Sequence, residues 1–285
     1  MREISKNLFR RKERETMKKI LCVLLLTMVF VFVFASCSLL PFSQIHSTDA
    51  PPVDLAFFLK DDGTYAVEIG QAKYRSKIEI PATYKGIAVT EIGSFSSEFL
   101  KEITIPDSVT TISSSAFSGC NNITTATMPT TAISAIPKSN LTTVVITSGA
   151  TIDPKAFHNC TSLMSVTICD SVTSIEFESF CNCTSLTSIT IGDSVTKIGY
   201  DAFRNCTSLT SVTIPDSVTS IDKSAFRDCT SLTSVVFANP NGWWRSLTSI
   251  STSGDAFSAA SLAKASTAAQ YLRSTYHSYY WKRTK

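Results

Sequence analysis

Three consecutive blocks of 23 residues agree at most positions without a gap: SVTSIEFESFCNCTSLTSITIGD at 171–193, SVTKIGYDAFRNCTSLTSVTIPD at 194–216 and SVTSIDKSAFRDCTSLTSVVFAN at 217–239. The frame continues backwards through 148–170, with Phe157, Cys160, Leu163, Val166 and Ile168, and through 108–130, with Val109, Ile112, Phe117, Cys120 and Ile123. Residues 131–147 form a shortened unit that retains Leu141, Val144 and Ile146, and a partial unit ends with Leu100, Ile103 and Ile105. A fixed period constrains the fold more tightly than length does, because a repeat array grows by adding units without enlarging one core.

Within the unit that starts at Ser194, Val212 and Ile214 alternate with Ser211 and Thr213, the period-two pattern of a strand with one buried face. Each such strand can pair with its copy one coil away at about 4.8 Å, so a parallel sheet is expected along one side. Val195, Ile198, Phe203, Cys206 and Leu209 must also turn inward. The same holds for Phe180, Cys183 and Leu186 and for Phe226, Cys229 and Leu232 in the neighbouring units. Seven buried side chains do not offset the ordering of 23 residues, so a single coil is unstable and at least three must stack. Asp-Ser at 193–194 and 216–217, after Gly192 or Pro215, supplies turn chemistry, and the Ala-Phe pair reads as a short helical or 3₁₀ turn on the opposite side.

The recurrence in order of Ala-Phe, Asn-Cys-Thr-Ser-Leu and Ile-Pro-Asp at this period closely resembles the BspA-like leucine-rich repeats of bacterial surface proteins, over residues 83–239. The fold class that follows is a mostly β repeat solenoid of the α/β type, a right-handed leucine-rich-repeat solenoid of about seven units. The resemblance implies a surface location and attachment to proteins of host or neighbouring cells. The sequence departs from the pattern at 131–147, which lacks Ala-Phe and the cysteine, and at Gly149, which replaces the usual Val. A kink or bulge is expected there.

The N-terminus addresses the compartment. Lys18 and Lys19 precede an apolar run from Ile20 to Phe34, about 15 residues against the roughly 20 that a membrane-spanning helix needs, and the run ends in small residues. Residues 1–36 therefore read as a signal peptide whose natural start is Met17, with a transmembrane helix as the alternative. Phe34-Ala35-Ser36-Cys37 resembles the lipobox of bacterial lipoproteins, which implies lipidation of Cys37, although Phe34 stands where that family usually has Leu. An ordinary cleavage site is the other reading. The expected product is exported and lipid-anchored at the cell surface, in the outer membrane if one is present. Residues 37–53, with Pro41, Pro51 and Pro52 among Ser and Thr, read as a lipidated tether.

Removing residues 1–36 takes away 8 of the 26 basic and 3 of the 23 acidic residues, leaving 18 against 20 and a net charge of −2. That balance gives no clustered positive charge for phosphates, so no nucleic-acid partner is expected.

Terminal coils expose core and strand edge and need covers. Residues 54–82 read as an N-terminal β cap, with Leu55–Leu59 and Tyr65–Ile69 forming a hairpin around Gly63. After Asn239 the repeat is lost, and 240–285 read as an aromatic and helical cap. A helix is expected over 266–281, with Ser266 as N-cap and Tyr271, Leu272, Tyr276, Tyr279 and Tyr280 crowding one side. Trp243, Trp244, Tyr276 and Tyr280 cover the last coil or, alternatively, form a recognition patch, since such rings are common binding anchors.

Chemistry is not assembled anywhere in this pattern, and no cofactor is expected. Five of the nine cysteines, Cys120, Cys160, Cys183, Cys206 and Cys229, hold one repeat position and should stack as an internal ladder of small apolar groups. Disulfides between rungs are disfavoured by parallel side chains. Cys181-Asn182-Cys183 lacks a third ligand at metal spacing, and the three histidines, His46, His158 and His277, form no paired motif and no base for a nucleophile. Asp170, Asp193 and Asp216 recur once per coil and read as turn residues, with a cation-binding ladder as the weaker alternative. The expected function is a protein-binding surface scaffold of the adhesin kind, with no enzymatic activity. A structural coat or spacer without a dedicated ligand is the alternative.

Overall fold

The computed structural model describes residues 54–284. The leader, the lipidation position Cys37 and the tether lie outside the described residues. Within them, the repeats stack as a β-solenoid whose main face is a parallel ladder. It runs through Lys77–Glu79, Glu102–Thr104, Thr125–Met128, Thr143–Ile146, Ser165–Ile168 and Ser188–Thr190, and a further pair, Ser211–Ile214 with Ser234–Phe237, follows. The registers match like with like, Val166 opposite Ile189 and Val212 opposite Val235, as a strict repeat requires. The inward residues of this ladder, from Ile103 to Phe237, are all buried.

A second parallel ladder, absent from the expectation of strands on one face, runs along another side. It is built from two-residue strands: Thr151–Ile152, Ser174–Ile175, Lys197–Ile198 and Ser220–Ile221. Each contributes one buried Ile, so its sequence signal is a single apolar residue per coil, too short for a period to show.

The Ala-Phe segment is a non-helical turn, which corrects the expected helical or 3₁₀ element. Two residues flanking each phenylalanine take positive φ: Lys155 and Asn159, Glu178 and Asn182, Asp201 and Asn205, Ser224 and Asp228, at 53° to 62°. Asn and Asp tolerate this left-handed conformation best, which accounts for the asparagine of the repeated Asn-Cys. The alternation points every second N–H at the following coil, as in Phe157 N to Ser179 O (2.7 Å), Phe180 N to Ala202 O (2.8 Å) and Phe203 N to Ala225 O (2.7 Å). All three sides of the coil therefore hydrogen-bond to a neighbour, leaving few buried backbone groups to satisfy by other means.

The short coil interrupts two of these systems. Corresponding residues are 18 apart from Thr125 to Thr143 against 23 from Ser165 to Ser188. The missing residues remove the second strand and the phenylalanine turn, and a 3₁₀ turn at Thr130–Ala132 takes their place. Among the described strands none pairs Thr111–Ile112 with Thr151–Ile152. Ile133 and Ile136 fill the interior instead, and the Lys138 ammonium donates to both their carbonyls at 2.8 and 3.3 Å. Gly149 sits at φ +113°, where a Cβ would strike the Thr130 hydroxyl, so the Val of other coils is excluded. The flanking ladders keep their registers, and the expected bulge resolves into a glycine turn.

At the N-terminal end, Ala56–Leu59 and Tyr65–Glu68 form an antiparallel hairpin whose turn holds Gly63 at φ +80°. Asp62 accepts from the Thr64 hydroxyl (2.6 Å) and N–H (2.9 Å); with Lys60 nearby, these bonds hold its carboxyl down at about 2. Phe57, Tyr65 and Tyr84 pack together, Phe57 stacking on Tyr84 at 4.1 Å.

Candidate binding surface

Each core position of the repeat forms a column through the solenoid. Phe157, Phe180, Phe203 and Phe226 are fully buried and stack at centroid distances of 5.1 to 5.2 Å, while Phe117 pairs with Phe95 on the far side of the short coil. Leu163, Leu186, Leu209 and Leu232 form a second buried column. Cys120, Cys160, Cys183, Cys206 and Cys229 are buried free thiols. Four of them donate to the carbonyl of the phenylalanine one coil back: Cys120 to Phe95 (2.7 Å), Cys183 to Phe157 (3.1 Å), Cys206 to Phe180 (3.2 Å) and Cys229 to Phe203 (3.0 Å). The cysteine column thus makes hydrogen bonds as well as filling space, a role its apolar reading in the sequence overlooks.

The hydrogen bond with Cys229, and then burial, raise Cys206 well above the ordinary thiol range, and burial raises Cys120. Cys160 has no phenylalanine one coil back, and its hydrogen bond with Cys183 lowers it; the Lys138 ammonium adds to that effect. It is nonetheless only 4% exposed. Alkylation of the native protein under non-denaturing conditions is therefore expected to label Cys169, which is half-exposed, and to spare the five column cysteines until denaturant is added. Peptide mass mapping reads the order; fast labelling of Cys206 in the native state would contradict the packed column.

The hydroxyl-bearing residues that dominate the sequence also bind coil to coil. Thr124 donates to Lys101 O (3.2 Å), Thr142 to Thr124 O (3.0 Å) and Thr187 to Met164 O (3.1 Å) at one corner, and Thr173 to Ala150 O (3.1 Å) and Thr196 to Thr173 O (3.1 Å) at another. Asn182 donates to Asn159 Oδ1 (2.8 Å) and Asn205 to Asn182 Oδ1 (2.9 Å), a third such line. Asp170 accepts the Asp193 N–H at 2.8 Å, and Asp216 takes Arg283 at 2.9 Å, so both aspartates serve turns and cap contacts. No group of three His, Cys, Asp or Glu side chains suited to a metal ion occurs among the described residues.

The sequence model of the BspA type leucine rich repeat region matches residues 71–149 and 150–281 in six copies, well over half of the chain. The chain belongs to the BspA-type leucine-rich repeat family. No curated protein matches it. Solved structures similar to it include a T. pallidum leucine rich repeat protein, with 25% identity over 66% of this chain and 70% of that one and a TM-score of 0.32. A leucine-rich repeat protein from Eubacterium ventriosum is 23% identical over 60% of this chain and 49% of its own, with a TM-score of 0.46. A leucine rich cell surface protein from Faecalibacterium prausnitzii is 24% identical over 71% of this chain and 56% of its own, with a TM-score of 0.37. The chain thus spans about half the length of the latter two.

Three features of this BspA-type array face solvent with more than hydroxyls. The first is a line along the second ladder, two residues after its buried Ile. Phe177 and Tyr200 stack there at 5.7 Å and 17°, 36% and 41% exposed. The Lys155 ammonium lies 5.6 Å from the Phe177 ring, and Lys223 continues the line, 5.0 Å from the Tyr280 ring. The position varies from coil to coil, as Pro154, Phe177, Tyr200 and Lys223, so it falls outside the repeat consensus. Comparing that one column across units would have exposed it.

The second is a groove of about 600 Å³ at the corner where chains enter the main strands, its lining including Asn122, Thr124, Asn140, Thr142, Thr161, Ser162 and Met164, with Lys101 at one end. It is centred on the short coil, which contributes Asn140 and Thr142.

The third is the C-terminal cap, whose secondary structure differs from the single helix expected over 266–281. Short α-helices at Ala259–Leu262 and Ala265–Gln270 lead into one π turn at Tyr271–Thr275, and the chain then returns as the strand Tyr280–Arg283. That strand pairs antiparallel with Ser220–Ile221 of the last coil and with Trp243–Ser246. Ser266 lies inside the second helix and is not its cap. Trp243 and Trp281 are 1% exposed and donate to Asn239 O (3.1 Å) and Tyr276 O (3.2 Å), so they are interior residues. Trp244 and Tyr280 are half-buried. Tyr276 packs under the Arg245 guanidinium, 4.0 Å from its ring centre.

One buried charge stands out among these polar lines. Asp201 is 3% exposed, its Oδ2 lies 3.3 Å from Arg204, and its Oδ1 has no partner. Burial raises its carboxyl above the ordinary value despite the arginine. A raised folded value means that the native state holds the proton more tightly. Stability is therefore greatest below the unfolded carboxylate value and is lost as pH rises through the folded one. Asp201→Asn, which suits the positive φ equally well, should raise the melting temperature at pH 7 by about 2–4 °C, roughly 1 kcal/mol for a chain of this size. The gain should shrink on acidification, and a gain that is constant with pH would point away from the carboxylate.

Proposed function

We propose that this chain is an exported, lipid-anchored surface scaffold that attaches to proteins of host or neighbouring cells. The observation that carries this reading is the exposed Phe177–Tyr200 stack with Lys155 and Lys223 beside it. Large rings and cations on a rigid array are the side chains that anchor protein interfaces, and stacking holds the two rings in place before any partner arrives. The signal-like run and Phe34-Ala35-Ser36-Cys37 support export and lipidation at Cys37. No catalytic step is assigned to it.

A structural spacer is the second reading, and the coil-to-coil use of Thr and Asn side chains favours it, because those groups are satisfied internally. The two separate in one experiment. The full chain is titrated against immobilised host matrix and serum proteins and against neighbouring bacterial cells, beside Tyr200→Ala and the Phe177→Ala/Tyr200→Ala pair. An adhesin shows saturable binding that weakens at least tenfold in the pair. Binding to none of these surfaces, or binding indifferent to both rings, leaves the spacer. Labelling cells with a lipid precursor followed by surface proteolysis checks anchoring independently.

A further inference from the structure

We propose that the groove over the short coil is a binding site for a neutral glycan, separate from the aromatic line and independent of the protein partner proposed above. It lies over the short coil, which contributes Asn140 and Thr142. That coil spans 18 residues against 23 and 22 in the coils on either side, so its perimeter is smaller, and the groove lies over it and those coils. It is an open groove of about 600 Å³, so a ligand there would keep one side in water.

The lining selects the ligand. The Thr124, Thr142 and Ser162 hydroxyls donate their protons to backbone carbonyls one coil back, at 3.2, 3.0 and 3.1 Å. Each hydroxyl oxygen is left as an oriented acceptor, so the ligand must bring donors. Asn122 and Asn140 spend one N–H each on Glu98 O (2.7 Å) and Asn121 O (2.8 Å), keeping a second N–H and the carbonyl. A carboxylate or phosphate would meet Lys101 at the groove's end but brings no donor to these three hydroxyl acceptors. A cation meets Lys101 and no lining carboxylate. A neutral ligand with many hydroxyls meets both conditions, since each hydroxyl donates and accepts.

Met164, 52% exposed in the same groove, is its one hydrophobic side chain and, with the threonine methyl groups, supplies apolar contact suited to the C–H face of a sugar ring. A peptide would need apolar pockets for alternate side chains, and the lining offers this single thioether.

Of the five methionines, the two among the described residues are Met164 in the groove and Met128 fully buried, so methyl-labelled methionine, assigned by substitution, gives a reporter and an internal reference. The full chain is titrated with maltotriose, mannotriose and chitotriose, and with a neutral hexapeptide. The expected result is a saturable shift of the Met164 methyl with at least one trisaccharide and none at Met128. Affinity measured by calorimetry should fall at least fivefold in Met164→Ala and at least tenfold in Met164→Asp or Thr161→Asp, both at exposed positions, and should be unchanged in Tyr200→Ala. No shift with any trisaccharide, a shift with the hexapeptide alone, or binding that survives Met164→Asp overturns the proposal. Loss of sugar binding in Tyr200→Ala also overturns it, assigning the sugar to the aromatic line.

Discussion

Phe203→Ala is expected to lower the unfolding free energy by about 3–5 kcal/mol, the range for emptying a buried aromatic site. The ring lies between Phe180 at 5.2 Å and Phe226 at 5.1 Å, nearly parallel to the first and fully buried, so its removal opens a gap that both neighbours line. The backbone around it is tied to the next coil through Phe203 N and Ala225 O, which limits collapse into the space. Tyr200→Ala, three residues away and 41% exposed, should change stability by less than about 1 kcal/mol and serves as the control. Urea unfolding of both variants measures the contrast. A loss below about 1 kcal/mol for Phe203→Ala would mean that the phenylalanine column is not what holds the coils together.

Removal of residues 240–285 should have a comparable effect by a different route. The cap stands in for the coil that would otherwise come next: His277 O accepts the Ser224 N–H at 2.6 Å, and Tyr280–Arg283 pairs with Ser220–Ile221. The helix Ala265–Gln270 packs on the last main strand, Ser234–Phe237. Without these contacts the final coil presents two bare strand edges and its Phe237 to water, and such edges recruit further chains. Light scattering after size separation should show self-association of the truncated protein where the full chain remains monodisperse. Trp281→Ala tests the cap with a single change, by about 3–5 kcal/mol, since the ring is 1% exposed and stacks on Phe257 at 4.3 Å and Phe237 at 6.2 Å. A truncated protein that stays monomeric with unchanged stability would show that the last coil needs no cover.

How far the sequence is legible depends on how a residue earns its place. Phe180, Leu186 and Ile198 recur because each packs on its own copy, so periodicity alone places them inside. Asn182 and Asn205 also recur, but for a backbone reason, positive φ, that a hydrophobic pattern does not register. The cap has no period to read. Its spacing of apolar and aromatic residues at Tyr271, Leu272 and Tyr276 fits a helix, yet the edge of the last coil requires a strand partner, and tertiary pairing overrides the local pattern from Tyr280 onward. Phe177 and Tyr200 were missed because a surface position is free to vary among units. The groove was missed because its lining is spread over several units around the short one, which was visible only as a departure in spacing.

That short unit also gives the array an uneven mechanical profile. Next to residues 130–142 the main sheet is continuous, whereas the second ladder and the phenylalanine column both stop and restart. A beam with one flange intact and the other cut bends most easily at the cut. Under load, flexing would concentrate between the segments ending at Ile112 and beginning at Thr151, while the three closely matching coils of 171–239 move as a stiff rod.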